Sequence, residues 1–281
     1  MAKPLYVLIQ YLCPHHTLNR LVGLLGECRF TWFKNWAINR LIRKYHVNLN
    51  EALSSNLDDY PTFNSFFSRQ LKPELRPIAQ GENIISSPVD GCVSQIGLIK
   101  ETTLIQAKQF NYTTTALLGG TEKLAKKFEN GSFATIYLAP KDYHRVHMPL
   151  TGTLLETTYI PGKLFSVNQV TAKNIPNLFA RNERLVCLFD TELGQMAVIL
   201  VGAMLVGRIE TVWPLTHPKN RITTEKYLNG LTIQRGSELG LFKMGSTVIT
   251  LFQKGKVKWD LSLGENSRLK MGEKIGVFNN F

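Results

Sequence analysis

The sequence predicts an α+β chain, with an N-terminal helical layer followed by a β-rich catalytic domain. Three observations carry this. Apolar residues in the first fifty positions recur at helical spacing. From residue 84 onward, runs rich in Val, Ile and aromatic residues alternate with turn residues. Between the two patterns, residues 71–83 form a connector containing Pro73 and Pro77, where a soft boundary belongs. A length of 281 residues suits one large domain or a domain with an appendage.

In the helical region, Leu21, Leu24, Leu25, Cys28, Trp32 and Trp36 make one apolar stripe, widened by Phe30 and Phe33. Arg20, Arg29, Lys34, Arg40, Arg43 and Lys44 accompany it, with Glu27 the single acid of that window. Tryptophans beside cations suit a helix lying in a membrane interface. A helix packing its stripe onto the protein's own core has the same periodicity. Arg43 projects near the stripe, and Gly23 and Gly26 offer a break into two helices. Pro4–Cys13 is apolar but stops at Pro14-His15-His16, and no run reaches the roughly 18 apolar residues of a spanning helix. It also lacks the small-residue cleavage signal of a secretory leader. Residues 1–70 are therefore read as an amphipathic membrane-docking region and 71–281 as the catalytic domain.

Further along, Asn48–Leu53 reads as a short helix, and 59–67 as a turn and a helix with Pro61 near its start. Strands are expected at Cys92–Ile99, Phe133–Leu138, Gly152–Ile160, Leu185–Asp190, Ala197–Leu205, Arg208–Trp213, Thr247–Phe252 and Ile275–Phe278. The apolar run 195–206 reads as a buried strand pair, and Thr114–Glu129 as the main helical exception.

Lys and Arg number 33 against 21 Asp and Glu, a net charge of +12. Such an excess favours an anionic partner: phospholipid headgroups, nucleic acid or an acidic substrate. No recognition helix, zinc finger or RNA motif is present, which sets nucleic acid aside. Cys13, Cys28, Cys92 and Cys187 are widely spaced, without a Cys-x-x-Cys pair, so neither a structural zinc nor a disulfide framework is expected. A reducing cytosolic setting fits them.

The chemistry gathers in three segments: Ser87-Pro88-Val89-Asp90-Gly91, Asp142-Tyr143-His144-Arg145-Val146-His147-Met148-Pro149, and Lys243-Met244-Gly245-Ser246-Thr247 at the mouth of an apolar strand. A serine hydroxyl becomes a nucleophile when a base takes its proton. His144 or His147 could be that base, and Asp90 could fix the tautomer of the histidine. Gly245 leaves the carbonyl ahead of Ser246 open to close approach. Read blandly, Asp90-Gly91 is a turn and the histidines are surface or core residues. Two histidines without a third ligand at suitable spacing do not make a metal site. The same three residue types would also serve a membrane-surface Ser-His-Asp hydrolase of lipid esters, although no Gly-x-Ser-x-Gly elbow is present.

Taken together, these segments closely resemble bacterial phosphatidylserine decarboxylases. Matching stretches at 161–168 (Pro161-Gly162-Lys163-Leu164-Phe165-Ser166-Val167-Asn168), Asn177–Arg184 and 207–213 extend the resemblance over nearly the whole chain. Met244 stands where the family usually has leucine, a change that nearly conserves volume. The resemblance implies a pyruvoyl-dependent enzyme made by self-cleavage. His147 would deprotonate Ser246 within an Asp90–His147–Ser246 triad, and the hydroxyl would attack the Gly245 carbonyl. Elimination would release residues 1–245 and leave dehydroalanine at position 246, and its hydrolytic loss of ammonia would give a pyruvoyl group heading a small chain of residues 246–281. The two chains would stay together as a heterodimer, and a higher homo-oligomer is left open. Substrate would condense with the pyruvoyl carbonyl as a Schiff base. His144 would orient the substrate carboxylate or transfer the proton, and Phe165, Ser166 and Asn168 would line the headgroup site. The implied reaction converts phosphatidylserine to phosphatidylethanolamine and CO2. The implied location is peripheral, on the cytoplasmic side of the cell membrane, held to its anionic surface by the basic, Trp-bearing N-terminus.

Overall fold

Three helices open the chain: α1 (Lys3–Leu12), α2 (His15–Gly26) and α3 (Thr31–Tyr45). They belong to a computed structural model that describes residues 3–107, 110–204, 209–216, 220–243 and 246–278. The apolar stripe is thus not one helix. α2 ends at Gly26, and the chain restarts at Thr31, so Leu21, Leu24 and Leu25 lie on α2 while Trp32 and Trp36 lie on α3. Close packing explains the break: a Cβ at Gly26 would stand 2.5 Å from Asn64 Oδ1. The stripe also faces outward, with Leu24 67% and Trp32 75% exposed. Leu5, Leu8, Ile9 and Leu12 of α1 extend that exposed apolar surface. The opposite face of α3 seats Ile38 in a small core with Val47, Tyr60 and Phe66. Buried Lys34 fastens that side by donating to the Leu57 and Tyr60 carbonyls at 2.7 and 2.8 Å. α4 (Phe63–Phe67) follows, its first turn closed by a reciprocal Thr62–Ser65 capping box.

A nine-stranded antiparallel sheet forms the centre of the rest. Its order runs Thr223–Lys226, Gly152–Ile160, Arg184–Thr191, Gly194–Val201, Ser246–Phe252, Ser132–Leu138, Gly91–Leu98 and Arg268–Leu269, with Thr232–Ile233 also pairing with Gly152–Ile160. Ser246–Phe252 holds the middle. It is hydrogen-bonded on both sides and all seven of its residues are buried, which is why its sequence is nearly continuous in apolar and Thr residues. A second sheet of Ile209–Thr211, Glu238–Phe242 and Arg145–His147 stands beside it, and Ile84–Ser86 pairs with Lys274–Phe278 and through it with Val257–Trp259.

Three expectations change. Within the run 195–206, of which 205 and 206 lie outside the described residues, there is one strand, Gly194–Val201, that turns back on Arg184–Thr191 through Gly194 at φ +89°. Its apolar character comes from a central position in the sheet, not from a second strand. Thr114–Glu129 divides into two short helices, Thr114–Leu117 and Glu122–Lys126, because Gly119 and Gly120 take φ of +86° and +91° between them. The Asn48–Leu53 helix is one 3-10 turn, Leu49–Glu51. Of the strand expected over 208–213, Arg208 lies outside the described residues and Ile209–Thr211 is extended.

Candidate active site

Ser246 opens the central strand, and its register fixes its surroundings. It lies opposite Leu138, and the next residue, Thr247, pairs with both Tyr137 and Val201. The residue after Leu138, Ala139, begins a tight connection to the Arg145–His147 strand. Asp142 clamps this connection by accepting from the Ala139 amide at 2.7 Å and from Arg268 at 2.6 Å. His144 closes it: its Nε2 meets the Ala139 carbonyl at 3.0 Å, its ring lies against Phe67 with centroids 4.2 Å apart, and its own carbonyl accepts from the Phe242 amide. The residues flanking 243–245 are therefore held by one loop, Phe242 on His144 and Ser246 opposite Leu138. Met244 and Gly245, the expected cleavage carbonyl, lie outside the described residues.

The Ser246 side chain is fully buried, and its Oγ has no hydrogen-bond partner among the described residues. His144 is equally buried, and its Nδ1 is likewise unpartnered. A carbonyl can only accept, so neutral His144 carries its proton on Nε2 and presents a bare Nδ1. Burial, with the Arg69 charge second, pushes its pKa down to about 3.

His147 has the opposite tautomer. Its Nδ1 donates to the Gly236 carbonyl at 2.9 Å, and its Nε2 accepts from the Tyr143 hydroxyl at 3.2 Å. Burial raises the Tyr143 pKa to about 12, so that hydroxyl stays a donor. Burial also lowers the pKa of His147, against smaller opposing contributions from Gly236, Glu238 and Asp90. Its Nε2 is thus a neutral base at ordinary pH.

Asp90 departs from the expected geometry. Its carboxylate accepts from Arg76 Nε at 2.8 Å and Nη2 at 2.5 Å, and from the Met271 amide at 2.8 Å. It makes no hydrogen bond to His147, whose tautomer is set by Gly236 instead. Asp90 acts on that ring only through its charge. It does lie in the same neighbourhood: the His147 amide donates to the Pro88 carbonyl at 2.8 Å, and Asp90 precedes Gly91, where a Cβ would stand 2.6 Å from the Tyr137 carbonyl oxygen.

Phe165, Ser166 and Asn168 lie on a separate stretch tied to the serine strand through Asn182. Asn182 accepts from the Phe165 amide and donates to the Phe165 and Gly202 carbonyls, and Gly202 follows Val201, the partner of Thr247. The N-terminal helices reach this stretch. Gln10 accepts from the Ser166 amide at 2.9 Å, Tyr6 accepts from Asn168 at 3.0 Å, and His15 packs edge-on against Phe165 with ring centroids 4.9 Å apart. Sequence reasoning did not single out Arg76, Tyr143, Gly236 or Asn182. Tyr143 carried a signal, standing directly before His144 in the segment that holds both histidines, and Asn182 lay within the matching stretch Asn177–Arg184.

A pH prediction follows from the histidines. An unfolded histidine titrates near 6.5, above the folded value of both rings. Below pH 6.5 the unfolded chain therefore binds more protons, so stability is intact above that pH and falls as pH drops toward the folded values. For His144 the slope is about 1.4 kcal/mol per pH unit, or about 2 kcal/mol between pH 6.5 and 5. Denaturant unfolding of the uncleaved Ser246→Ala chain at pH 7 and pH 5 should show this loss, and adding His144→Gln should flatten it. An unchanged slope would mean that His144 is solvated or charged in the folded state.

The sequence that carries this buried serine and the two neutral histidines matches known proteins. A family model described as phosphatidylserine decarboxylase matches residues 63–277, and one described as PSD matches residues 5–46. The chain is 53% identical over 283 residues to a phosphatidylserine decarboxylase proenzyme of Pseudomonas putida strain W619, covering 99% of each chain. It is 51% identical over 288 residues to the proenzyme of that name from Alcanivorax borkumensis, covering 100% of this chain and 98% of the other. The family model spans both histidines, the buried serine and the sheet that joins them. With likeness at this level over the full length, the chain belongs to the phosphatidylserine decarboxylase family.

Proposed function

We propose that this protein converts phosphatidylserine to phosphatidylethanolamine and CO2, using a pyruvoyl group that it makes from Ser246. The observation that carries the reading is the placement of Ser246 at the head of a strand whose two flanks belong to the rest of the chain. A break before Ser246 leaves the strand locked between Ser132–Leu138 and Gly194–Val201. Two further ladders would bind the small chain, Arg268–Leu269 on Gly91–Leu98 and Lys274–Phe278 on Ile84–Ser86. The Asp142–Arg268 and Asp90–Met271 contacts also cross between the two pieces. Cleavage therefore costs one covalent bond and none of the sheet, and the two chains remain a heterodimer.

In self-cleavage, His147 Nε2 takes the Ser246 proton and the oxygen attacks the Gly245 carbonyl. The peptide bond becomes an ester, which elimination opens to the Gly245 carboxylate and dehydroalanine at 246, and water then displaces the nitrogen as ammonia to leave the pyruvoyl carbonyl. The buried, unpartnered Ser246 Oγ fits this use, because the serine gives up no hydrogen bond before attack, while His147 Nε2 exchanges the Tyr143 hydroxyl for it. The pyruvoyl carbonyl supplies an electrophile for the substrate amine and a sink for the electrons that CO2 leaves behind. Around it, His144 moves the proton through Nδ1, or orients the substrate carboxylate by turning its Nε2–H from the Ala139 carbonyl, and Phe165, Ser166 and Asn168 place the headgroup. α1, α2 and the start of α3 present their apolar side chains to the acyl region of an anionic membrane surface. No described helix is long and apolar enough to cross a membrane.

Intact-mass measurement of active enzyme should give two chains that copurify without denaturant. The smaller, residues 246–281, is about 4 kDa of the 31.8 kDa total and should resist N-terminal sequencing. Borohydride added during turnover should attach substrate to that small chain. The same preparation should float with vesicles containing anionic lipid. A single intact, active chain would overturn the pyruvoyl reading and restore a Ser-His-Asp hydrolase, which the missing Asp90–His147 hydrogen bond already disfavours. Failure to float would remove the membrane-docking surface.

A further inference from the structure

Arg69 is a buried cation that the chemistry above does not use. It follows α4 and is 4% exposed. Its Nη2 donates to the Lys141 carbonyl at 3.2 Å, and its guanidinium sits 5.2 Å from the Phe66 ring centroid. Nε and Nη1 are buried and donate to nothing among the described residues. A buried donor left unpaired is destabilising, and more so when charged. The other deeply buried arginines avoid this. Arg184 gives its donors to the carbonyls of Ala116, Leu117, Ala180 and Asn182. Arg76 gives its own to Asp90, Glu51 and the Leu75 carbonyl.

Arg69 lines a cavity of about 330 Å³. The acids on its wall are already engaged: Asp90 and Glu51 by Arg76, Asp142 by Arg268, and Glu273 by the Lys270 amide. Three cations on the same wall, Arg69, Lys141 and Lys270, form no salt bridge among the described residues. Five lysines and arginines on the wall face four acids, a surplus of one positive charge, with the most desolvated donors on Arg69. At roughly 30 Å³ per water the space equals about eleven waters, enough for a hydrated oxyanion and too little for two acyl chains. Tyr143, whose hydroxyl meets His147, shares the wall, and the Arg69 charge acts on His144.

We propose that Arg69, with Lys141 and Lys270, forms a binding site for a compact oxyanion of the phosphate or carboxylate type. The anion completes the hydrogen bonding of Arg69 and offsets a positive charge beside His144. It arrives either as part of the substrate headgroup or as free phosphate.

Inorganic phosphate is the probe, titrated into the processed enzyme while the thermal midpoint is followed, then tested as an inhibitor of turnover of a short-chain phosphatidylserine. Phosphate should raise the midpoint of the wild type. Arg69→Gln should weaken phosphate binding at least tenfold, and Arg69→Lys should retain part of it. Inhibition that raises KM at constant kcat, and is lost in Arg69→Gln, assigns the site to the substrate's own anion. Binding that leaves KM unchanged assigns it to free phosphate. If Arg69→Gln does not fold, the exposed Lys141→Ala and Lys270→Ala should each weaken phosphate binding several-fold. The proposal is overturned if phosphate leaves the wild-type midpoint unmoved, or if the folded variants bind it as the wild type does. Phosphate binding is read without turnover, so failure of the decarboxylase assignment would be seen separately.

Discussion

Ser246→Ala should yield one chain of 31.8 kDa, with decarboxylation down by more than about 10³-fold. The size of the effect follows from the double use of this residue. Without the hydroxyl, nothing attacks the Gly245 carbonyl, and without cleavage the electrophile is never made. The informative part is the stability expected alongside. Ser246 is fully buried and its Oγ pairs with nothing among the described residues, so alanine removes a desolvated hydroxyl and leaves the ladders to Ser132–Leu138 and Gly194–Val201 intact. Replacing a buried, unsatisfied polar atom is neutral to stabilising, by up to about 1–3 kcal/mol. The uncleaved variant should therefore melt at or above the midpoint of the uncleaved wild-type precursor while having no activity. An intact chain that still turns over substrate would end the pyruvoyl assignment. A variant that fails to fold would instead show that the hydroxyl serves the structure.

The sequence made the central strands legible because burial on both sides leaves little choice of residue: Gly152–Ile160 matches its expected bounds, and Ser246–Phe252 begins one residue early. Thr223–Lys226 and Thr232–Ile233 were missed because short, polar edge strands are specified by their partner Gly152–Ile160 and carry no pattern of their own. The outward aim of the α2 and α3 stripe was not readable from periodicity, which is the same for a core-facing and a lipid-facing helix. Among the site residues, Ser246 and the two histidines were visible as chemistry-bearing types in short segments. Their division of labour was not, since it depends on Gly236 and Ala139, whose contributions are backbone carbonyls that any residue would supply. Arg69, just after α4, and Arg76, in the Pro-containing connector, were invisible as buried residues because arginine outside a helix or strand reads as solvated surface.

The two histidines should separate cleavage from turnover. His147→Ala should slow self-cleavage by about 10²–10⁴-fold, the usual contribution of a positioned general base, so that the single chain accumulates. The reason lies in the tautomer: the Gly236 carbonyl holds the proton on Nδ1, and Nε2 keeps its lone pair at a pKa lowered by burial. Tyr143→Phe should have a smaller effect in the same direction, because it removes the hydroxyl that aligns Nε2 but leaves the base. His144→Ala should still give two chains, with kcat for decarboxylation strongly reduced. Register supports that role, since His144 bonds to Ala139, which follows the Ser246 partner Leu138, and its carbonyl accepts from Phe242. With a pKa of about 3 it stays neutral and its bare Nδ1 is an acceptor, so it acts by accepting and relaying a proton and not as a fixed positive charge. Chain composition by mass spectrometry, read beside product formation, decides the matter. If His144→Ala blocks cleavage while His147→Ala permits it, the two assignments exchange, with His144 the base for cleavage and His147 serving decarboxylation.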